Sequence, residues 1–168
     1  MPSAIVVRAR LPRALERVRR QSIANAADGV PAHLTMLYPF VEPAGLDGRV
    51  RRRIESVARL HAPFEYRMVE LRRWPDTVYV AVDQEAPFVR LQADLAAAFP
   101  DYPIYGSSSV FDYVPHISVV EGYGLAVAIE REPPSAVGLP AGTRATGLEV
   151  IATGPDGRWA TVWRIRLG

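Results

Sequence analysis

One short pattern occurs twice in this sequence of 168 residues, at positions 83 residues apart. The copies lie in residues 30–40 (VPAHLTMLYPF) and residues 114–120 (VPHISVV). Each copy places a histidine, and a hydroxyl residue two positions later, inside an apolar segment that is typical of a buried strand. Buried polar side chains cost free energy unless a partner satisfies them. The fold must therefore supply a partner or a ligand for both pairs.

The elements predicted around the two copies follow the same order of strand, helix, motif strand, helix and hairpin. The first copy is predicted to use residues 4–7, 13–26, 33–38, 47–60 and a hairpin of 64–73 with 77–83. The second is predicted to use 77–83, 87–99, the motif strand at His116, 125–130 and a hairpin of 144–152 with 159–167. Three or more copies would favour a solenoid. Two copies predict one domain (1–168) made of two interleaved lobes, about 1–83 and 77–168, related by a pseudo-two-fold axis.

Side chains alternate across a strand, so residues two apart share a face. This alternation places His33, Thr35 and Leu37 on one face of the first motif strand, and His116 and Ser118 on one face of the second. A two-fold axis would then bring two imidazoles and two hydroxyls around one cleft. The residues expected to pack behind them are Leu34, Met36, Tyr38, Ile117 and Val119.

Two imidazoles and two hydroxyls suit the cleavage of a phosphodiester by in-line displacement. Because the pKa of histidine is near 6.5, one ring can accept a proton while the other donates one. We predict that His33 and His116 are the catalytic acid and base, in an order that the sequence leaves open. The hydroxyls of Thr35 and Ser118 would bind phosphoryl oxygens. The alternative is two core histidines, each bonded to a backbone carbonyl.

This chemistry needs no metal and no cofactor. The sequence has only three histidines, and only two are expected to converge. Asp112 and Glu121 flank the second motif but have no counterpart beside the first, so a zinc triad is difficult to assemble.

Aromatic residues near the second motif are candidates for stacking on a nucleobase. Phe111 and Tyr113 are closest in sequence to His116, and Trp74 lies at a predicted hairpin turn. We predict substrate-binding roles for these three residues, with ordinary loop packing as the alternative.

Composition limits the kinds of partner. All 20 basic residues are arginines and the formal net charge is +2, which excludes a strongly basic nucleic-acid coat but allows a local anion site. The absence of cysteine excludes a disulfide framework. The first 11 residues lack the features of a signal peptide, and no segment is long and apolar enough to span a bilayer. We therefore expect a soluble, cytoplasmic monomer without a membrane partner.

The duplicated His-x-Thr/Ser pattern, with its flanks PAHLTMLYPF and YGSSSVFDYVPHISVV, resembles the 2H phosphoesterase superfamily and its 2′-5′ RNA ligase-like branch. The resemblance implies an α+β fold of two lobes, with antiparallel sheets lining a central groove and helices on the outer faces. It also implies metal-independent action on 2′,3′-cyclic phosphates or 2′-5′ phosphodiesters of RNA ends or small nucleotides, where opening of the cyclic phosphate leaves a 2′-phosphate. Two alternatives stay open: 2′-5′ ligation of RNA, and a non-catalytic nucleotide- or RNA-binding module on the same fold.

Overall fold

The computed structural model describes residues 3–106, 112–122 and 134–168. Within these ranges the strands are β1 (Ser3–Arg8), β2 (His33–Leu37), β3 (Phe64–Trp74), β4 (Thr77–Val82), β5 (His116–Glu121), β6 (Ala141–Ala145), β7 (Gly147–Thr153) and β8 (Trp159–Arg166). The α-helices are α1 (Arg13–Ser22), α2 (Ala24–Ala27), α3 (Gly48–Ala58) and α4 (Glu85–Ala98). The helix predicted at 125–130 lies outside the described residues.

The strands form two four-stranded antiparallel sheets whose strand orders correspond. Sheet A has the order β2-β1-β7-β8, and sheet B has the order β5-β4-β3-β6. In each sheet, the motif strand lies at an edge beside the strand that precedes it in the sequence. Strands β7 and β8 complete sheet A, and β3 and β6 complete sheet B. The α+β fold with antiparallel sheets and a two-fold repeat, predicted from the sequence, is confirmed.

The helices exchange positions between the two copies. Helix α1, which follows β1, contacts β5, whereas α4, which follows β4, contacts β2. Each motif strand is therefore supported by the helix of the other copy. Phe88, Leu91 and Leu95 of α4 are completely buried, as their helical spacing predicts, and the rings of Phe64 and Tyr66 pack edge-on against Phe88.

Sheet A has one apolar face and one face of mixed polarity, which carries the smaller buried cluster of Ala4, Val6, Val30 and Ile151. The apolar face, which includes Ile5, Val7 and Val150, belongs to the main hydrophobic core. On the other face, Val6 pairs with Thr35 on one side and with Glu149 on the other. Residues paired in register share a face, so this face carries both the first motif and Glu149, the one charged residue of β7. We call it the cavity face.

Two predicted elements differ from those observed. The helix predicted at 13–26 is interrupted at Ile23, whose backbone is extended (φ −113°, ψ 114°) and whose side chain is buried. The strand predicted at 144–152 is two strands, because the chain leaves sheet B after Ala145 and enters sheet A at Gly147. A Cβ atom at Gly147 would lie 2.5 Å from the carbonyl oxygen of Ile165. The crossing therefore needs glycine at this position.

We expect Phe88→Ala to lower the free energy of unfolding by about 3–5 kcal/mol, since removal of a buried phenyl group leaves a cavity. Denaturant unfolding monitored by circular dichroism would measure this change. Val89→Ala, on the exposed side of the same helix, is the matched control and should change stability by less than about 1 kcal/mol. Equal losses for both variants would contradict the placement of α4.

Candidate active site

A cavity of about 420 Å³ brings the two motifs together. Its lining includes His33 and Thr35 from β2, and His116 and Ser118 from β5. Strands β2 and β5 are in contact, although they belong to different sheets. The structure thus places all four motif side chains around one space, although nothing in either motif alone specifies that the two strands meet.

Each motif strand contains a β-bulge directly after its hydroxyl residue. In the β1–β2 pair, the register moves from Thr35 to Leu37 and leaves Met36 as the extra residue. In the β4–β5 pair, it moves from Ser118 to Val120 and leaves Val119 as the extra residue. Bulges are common beside active sites, where they re-aim side chains.

The first bulge overturns one prediction from strict alternation. Leu37 was expected to face the cleft and Tyr38 to pack behind the strand. Leu37 is instead completely buried in the core, and Tyr38 lines the cavity. The extra residue at Met36 shifts the alternation by one position, so the faces are exchanged after Thr35.

Both imidazoles are held by the same type of hydrogen bond. Nδ1 of His33 lies 2.7 Å from the carbonyl oxygen of Pro31, and Nδ1 of His116 lies 2.8 Å from that of Val114. A carbonyl oxygen only accepts, so Nδ1 carries the hydrogen and donates it. In the neutral ring, Nε2 is then the basic atom. From the sequence, the alternative to catalytic histidines was a pair of core histidines bonded to backbone carbonyls. Both histidines do form such bonds, and both also line the cavity.

Burial keeps both rings neutral in the free protein. It lowers the pKa of His33 to about 4, with smaller contributions from the positive charge of Arg19 and from His116, while the bond to Pro31 opposes the shift. Burial also lowers the pKa of His116, and the bond to Val114 opposes it. At neutral pH, Nε2 of each ring is therefore free to accept a proton.

Aromatic rings surround the His116 imidazole. The Trp74 ring is 4.6 Å from it, centroid to centroid, at an interplanar angle of 80°, and the Tyr79 ring is 5.5 Å away at 70°. Trp74 also lines the cavity. This residue, predicted to bind substrate, thus lies where it contacts the ring of a motif histidine and faces the cavity space.

Of the other two aromatic candidates, Tyr113 is described and Phe111 lies outside the described residues. The hydroxyl of Tyr113 donates a 2.9 Å hydrogen bond to the backbone carbonyl of Thr35, and its ring packs against the core. Tyr113 is not among the described residues that line the cavity. Its observed contact joins the segment before β5 to strand β2.

Sequence reasoning missed Arg19, which is 3% exposed and lines the cavity. Its Nη2 donates a 2.8 Å hydrogen bond to the carbonyl of Val30, and its Nε lies 3.1 Å from a Glu16 carboxylate oxygen. Arg19 stands four residues after Leu15, on the buried side of α1. An arginine on an apolar helical stripe was the signal that could have identified it among 20 arginines.

Other cavity residues were also not predicted as site residues. Tyr105 has a left-handed backbone (φ 56°) and is 53% exposed. Partial desolvation at the cavity raises the pKa of its hydroxyl, and a hydrogen bond to Thr35 opposes this rise. Glu121 has a pKa raised by burial and by Asp76, while Arg19 opposes the rise. Further polar residues of the lining that were not predicted are Asn25 and Thr77.

The described part of the chain holds no group of three or more histidine or carboxylate side chains that could bind a metal ion. In that part, too, no helix combines the length and apolar character needed to cross a bilayer.

Comparison with known families identifies the chain. The 2′-5′ RNA ligase superfamily matches residues 7–154, a range that contains both motif strands and the polar residues described in the cavity lining. The chain belongs to the 2′-5′ RNA ligase superfamily. The resemblance drawn from the two motifs is thereby confirmed at the level of the family. A search of curated proteins finds no match.

Solved structures share the fold of this 2′-5′ RNA ligase superfamily member. TT0787 of Thermus thermophilus has 18% identity and a TM-score of 0.62, covering 99% of this chain and 98% of that one. E. coli LigT complexed with 3′-AMP has 18% identity and a TM-score of 0.59, covering 99% and 97%. E. coli LigT complexed with NADP+ has 16% identity and a TM-score of 0.62, covering 99% and 96%. At these identities the likeness establishes a common fold.

We expect the free energy of unfolding to fall as the pH decreases from 6.5 towards 4. Because the folded protein binds a proton at His33 less readily than the unfolded chain does, the stability from this residue is complete above pH 6.5 and is lost below it. The loss should be on the order of 2 kcal/mol, measured by urea unfolding at several pH values. His33→Gln should flatten this decline. If the variant and the parent protein decline equally, the lowered pKa is wrong.

Proposed function

We propose that this superfamily member is a metal-independent phosphoesterase that acts on 2′,3′-cyclic phosphates or 2′-5′ phosphodiester bonds of RNA ends or small nucleotides. The observation that carries the proposal is the pair of imidazoles whose Nδ1 atoms are bonded to carbonyls and which line one cavity together with Thr35 and Ser118. Two basic Nε2 atoms in one cavity meet the need for an acid and a base on opposite sides of a phosphorus atom.

The charges around the two rings favour His33 as the base and His116 as the acid in the hydrolytic direction. Arg19 and His116 both lower the pKa of His33, whereas burial alone lowers that of His116. The more readily protonated ring is then His116. A bound phosphate anion would raise the pKa of both rings and would support a proton on one of them.

The proposed reaction is a single displacement. Nε2 of His33 accepts a proton from water while the water oxygen forms a bond to phosphorus. The bond between phosphorus and the leaving ribose oxygen breaks, and Nε2–H of His116 protonates that oxygen. For a 2′,3′-cyclic phosphate with O3′ as the leaving atom, the product is a 2′-phosphate.

Polar groups of the lining would hold the phosphoryl oxygens. The hydroxyls of Thr35 and Ser118 donate to these oxygens in the proposal and stabilise the charge that develops on them. Arg19 adds attraction for an anion, because a charge in a partly desolvated cavity is weakly screened, although its ion pair with Glu16 reduces this attraction.

A nucleotide substrate agrees with the shape and the aromatic lining of the cavity. E. coli LigT, which shares the fold, has been crystallised with 3′-AMP, NADP+ and ATP. We propose that Trp74 stacks on the base and that Phe111 contributes from the neighbouring segment, while Tyr113 contributes by positioning Thr35. The two interleaved lobes (about 1–83 and 77–168) and a cytoplasmic monomer stay predictions.

Substitution of either motif histidine should abolish most of the activity. We expect His33→Ala and His116→Ala each to lower kcat for a 2′,3′-cyclic nucleotide at least ~100-fold, because each removes an acid–base group. Hydrolysis would be followed by 31P NMR, which also gives the position of the product phosphate. The third histidine provides the control: His61 is bonded to Asp94 and lies outside the cavity lining, so His61→Ala should retain full kcat.

The outcomes of this experiment separate the remaining alternatives. Full turnover in both motif variants would refute the catalytic assignment. Tight nucleotide binding without turnover in the parent protein would favour a non-catalytic binding module. Formation of 2′-5′ bonds from RNA fragments, without hydrolysis, would favour a ligase.

The pH profile tests the order of acid and base. The value of kcat/KM reports the free protein, in which productive encounters need a neutral His33 and a protonated His116. The pKa of His33 is about 4 and that of His116 lies below 6.5. We therefore expect a bell-shaped profile with its maximum between pH 4 and 6.5, measured with a 2′,3′-cyclic nucleotide at subsaturating concentration. A rate that continues to rise up to pH 8 would exclude this assignment.

A further inference from the structure

A second concavity, of about 510 Å³, lies where the chain crosses from β6 to β7. Its charged lining consists of five arginines and one glutamate: Arg8, Arg10, Arg144, Arg164, Arg166 and Glu149. We call it the arginine groove and define it by the five arginines. Its lining carries a net of four positive charges, whereas the whole protein has a formal net charge of only +2. The groove is therefore a local region of positive charge on a nearly neutral protein.

The acidic residue of this lining orients two of the arginines. The carboxylate of Glu149 lies 3.2 Å from Nε of Arg8 and 3.3 Å from Nε of Arg164. It also accepts a 3.0 Å hydrogen bond from the hydroxyl of Thr161. With a side chain only 10% exposed, Glu149 is covered by these partners. Its charge fixes the two guanidinium groups and leaves little negative potential at the surface.

The other three arginines of the groove are available to a ligand. Arg10, Arg144 and Arg166 are exposed. Within the described ranges none of them forms an ion pair, although Glu65 lies opposite Arg144 in the β3–β6 pair and lowers the positive potential there. A guanidinium group binds phosphate through two parallel hydrogen bonds. A solvated arginine contributes little to binding one free phosphate, but several along a groove act together on a ligand that carries several phosphates.

The groove and the catalytic cavity lie on the same face of sheet A. Arg8 is paired in register with His33. On the next row, Thr35 pairs with Val6, Val6 with Glu149, and Glu149 with Arg164. Since neighbouring strands are about 4.8 Å apart, the three steps from Thr35 to Arg164 span roughly 14 Å along the cavity face.

A surface depression of about 530 Å³ adjoins both sites. It shares Arg19 and Val30 with the catalytic cavity, and Arg8 and Arg10 with the arginine groove. A ligand anchored in the cavity can therefore continue towards the groove along a surface that is positively charged overall. Glu16, which pairs with Arg19 and Arg20, also lies in its lining, whereas Arg8 and Arg10 continue into the groove.

We propose that the arginine groove binds the phosphodiester backbone of an RNA strand whose terminal phosphate occupies the catalytic cavity. This inference rests on the proposed function for the identity of the terminal group. Because Arg8 pairs with His33, a mononucleotide in the cavity can reach only the near end of the groove. Contacts that extend as far as Arg164 need several linked phosphates, which an RNA strand provides and a small cyclic nucleotide does not. The preferred substrate is then the end of an RNA chain.

Binding of an unstructured RNA decamer with a 3′-phosphate, measured by fluorescence anisotropy between 50 and 200 mM salt, tests the groove without requiring turnover. The groove variant combines Arg10→Gln, Arg144→Gln and Arg166→Gln. It should weaken binding at least ~10-fold at 100 mM salt. The slope of the logarithm of the association constant against the logarithm of the salt concentration should become shallower by about 2. Each phosphate contact to a single strand contributes about 0.7 to this slope, and the variant removes three contacts.

The matched control removes the same charge from helix α3, from the residue directly after it and from helix α4. Its substitutions are Arg52→Gln, Arg59→Gln and Arg90→Gln, all at exposed positions. The control should change the dissociation constant less than twofold. The proposal is overturned if both variants weaken RNA binding equally, or if neither variant weakens it. It is also overturned if a polyglutamate peptide of matched charge competes for the protein as well as RNA does.

Turnover separates this proposal from the proposed function. The groove variant should keep kcat/KM for a 2′,3′-cyclic mononucleotide within twofold, and should raise KM about 10-fold for a decamer that ends in a 2′,3′-cyclic phosphate. Groove-dependent RNA binding without turnover of any substrate would support the groove and reject the phosphoesterase. Turnover of both substrates with no effect of the groove variant would retain the phosphoesterase and reject the groove.

Discussion

The candidate site depends on two short hydrogen bonds, each from the Nδ1–H of a motif histidine to the backbone carbonyl two residues earlier. Each bond selects one tautomer and directs the lone pair of the imidazole to Nε2. Without it, the ring could turn and present a donor where the chemistry needs an acceptor. These two bonds decide which ring nitrogen carries the hydrogen. The bulges, the supporting helices and the aromatic contacts of His116 then only position the rings.

The surroundings of the two rings then make them different. The carbonyl bonds are equivalent, but Arg19 acts on His33, and Trp74 and Tyr79 pack against His116. A site built from two copies of one pattern thus acquires an asymmetry, which a reaction with one attacking and one leaving oxygen requires. The asymmetry comes from helix α1 and from the β3–β4 hairpin, outside the motifs themselves.

Much of this arrangement could be predicted from the sequence. The repeated His-x-Thr/Ser pattern indicated a two-copy fold and the four convergent side chains, because the period of a strand fixes which residues share a face. The exchange of Leu37 and Tyr38 could not be predicted, since a bulge depends on how the neighbouring strand pairs. The crossing between sheets at Gly147 was missed for a related reason: the glycine is required by the carbonyl of Ile165, which is distant in sequence. Arg19 was not predicted, because the sequence contains many arginines. Its position on an apolar helical stripe could have identified it as buried.

Sheet A joins strands that are far apart in the sequence, and this affects how the fold is completed. Strands β1 and β2 are synthesised well before β7 and β8, which complete their sheet. Until then β1 has an open edge, and open edges invite pairing with other chains. Sheet A is consequently complete only after β7 and β8 have been synthesised, and a fragment that stops before β7 would retain an unprotected strand.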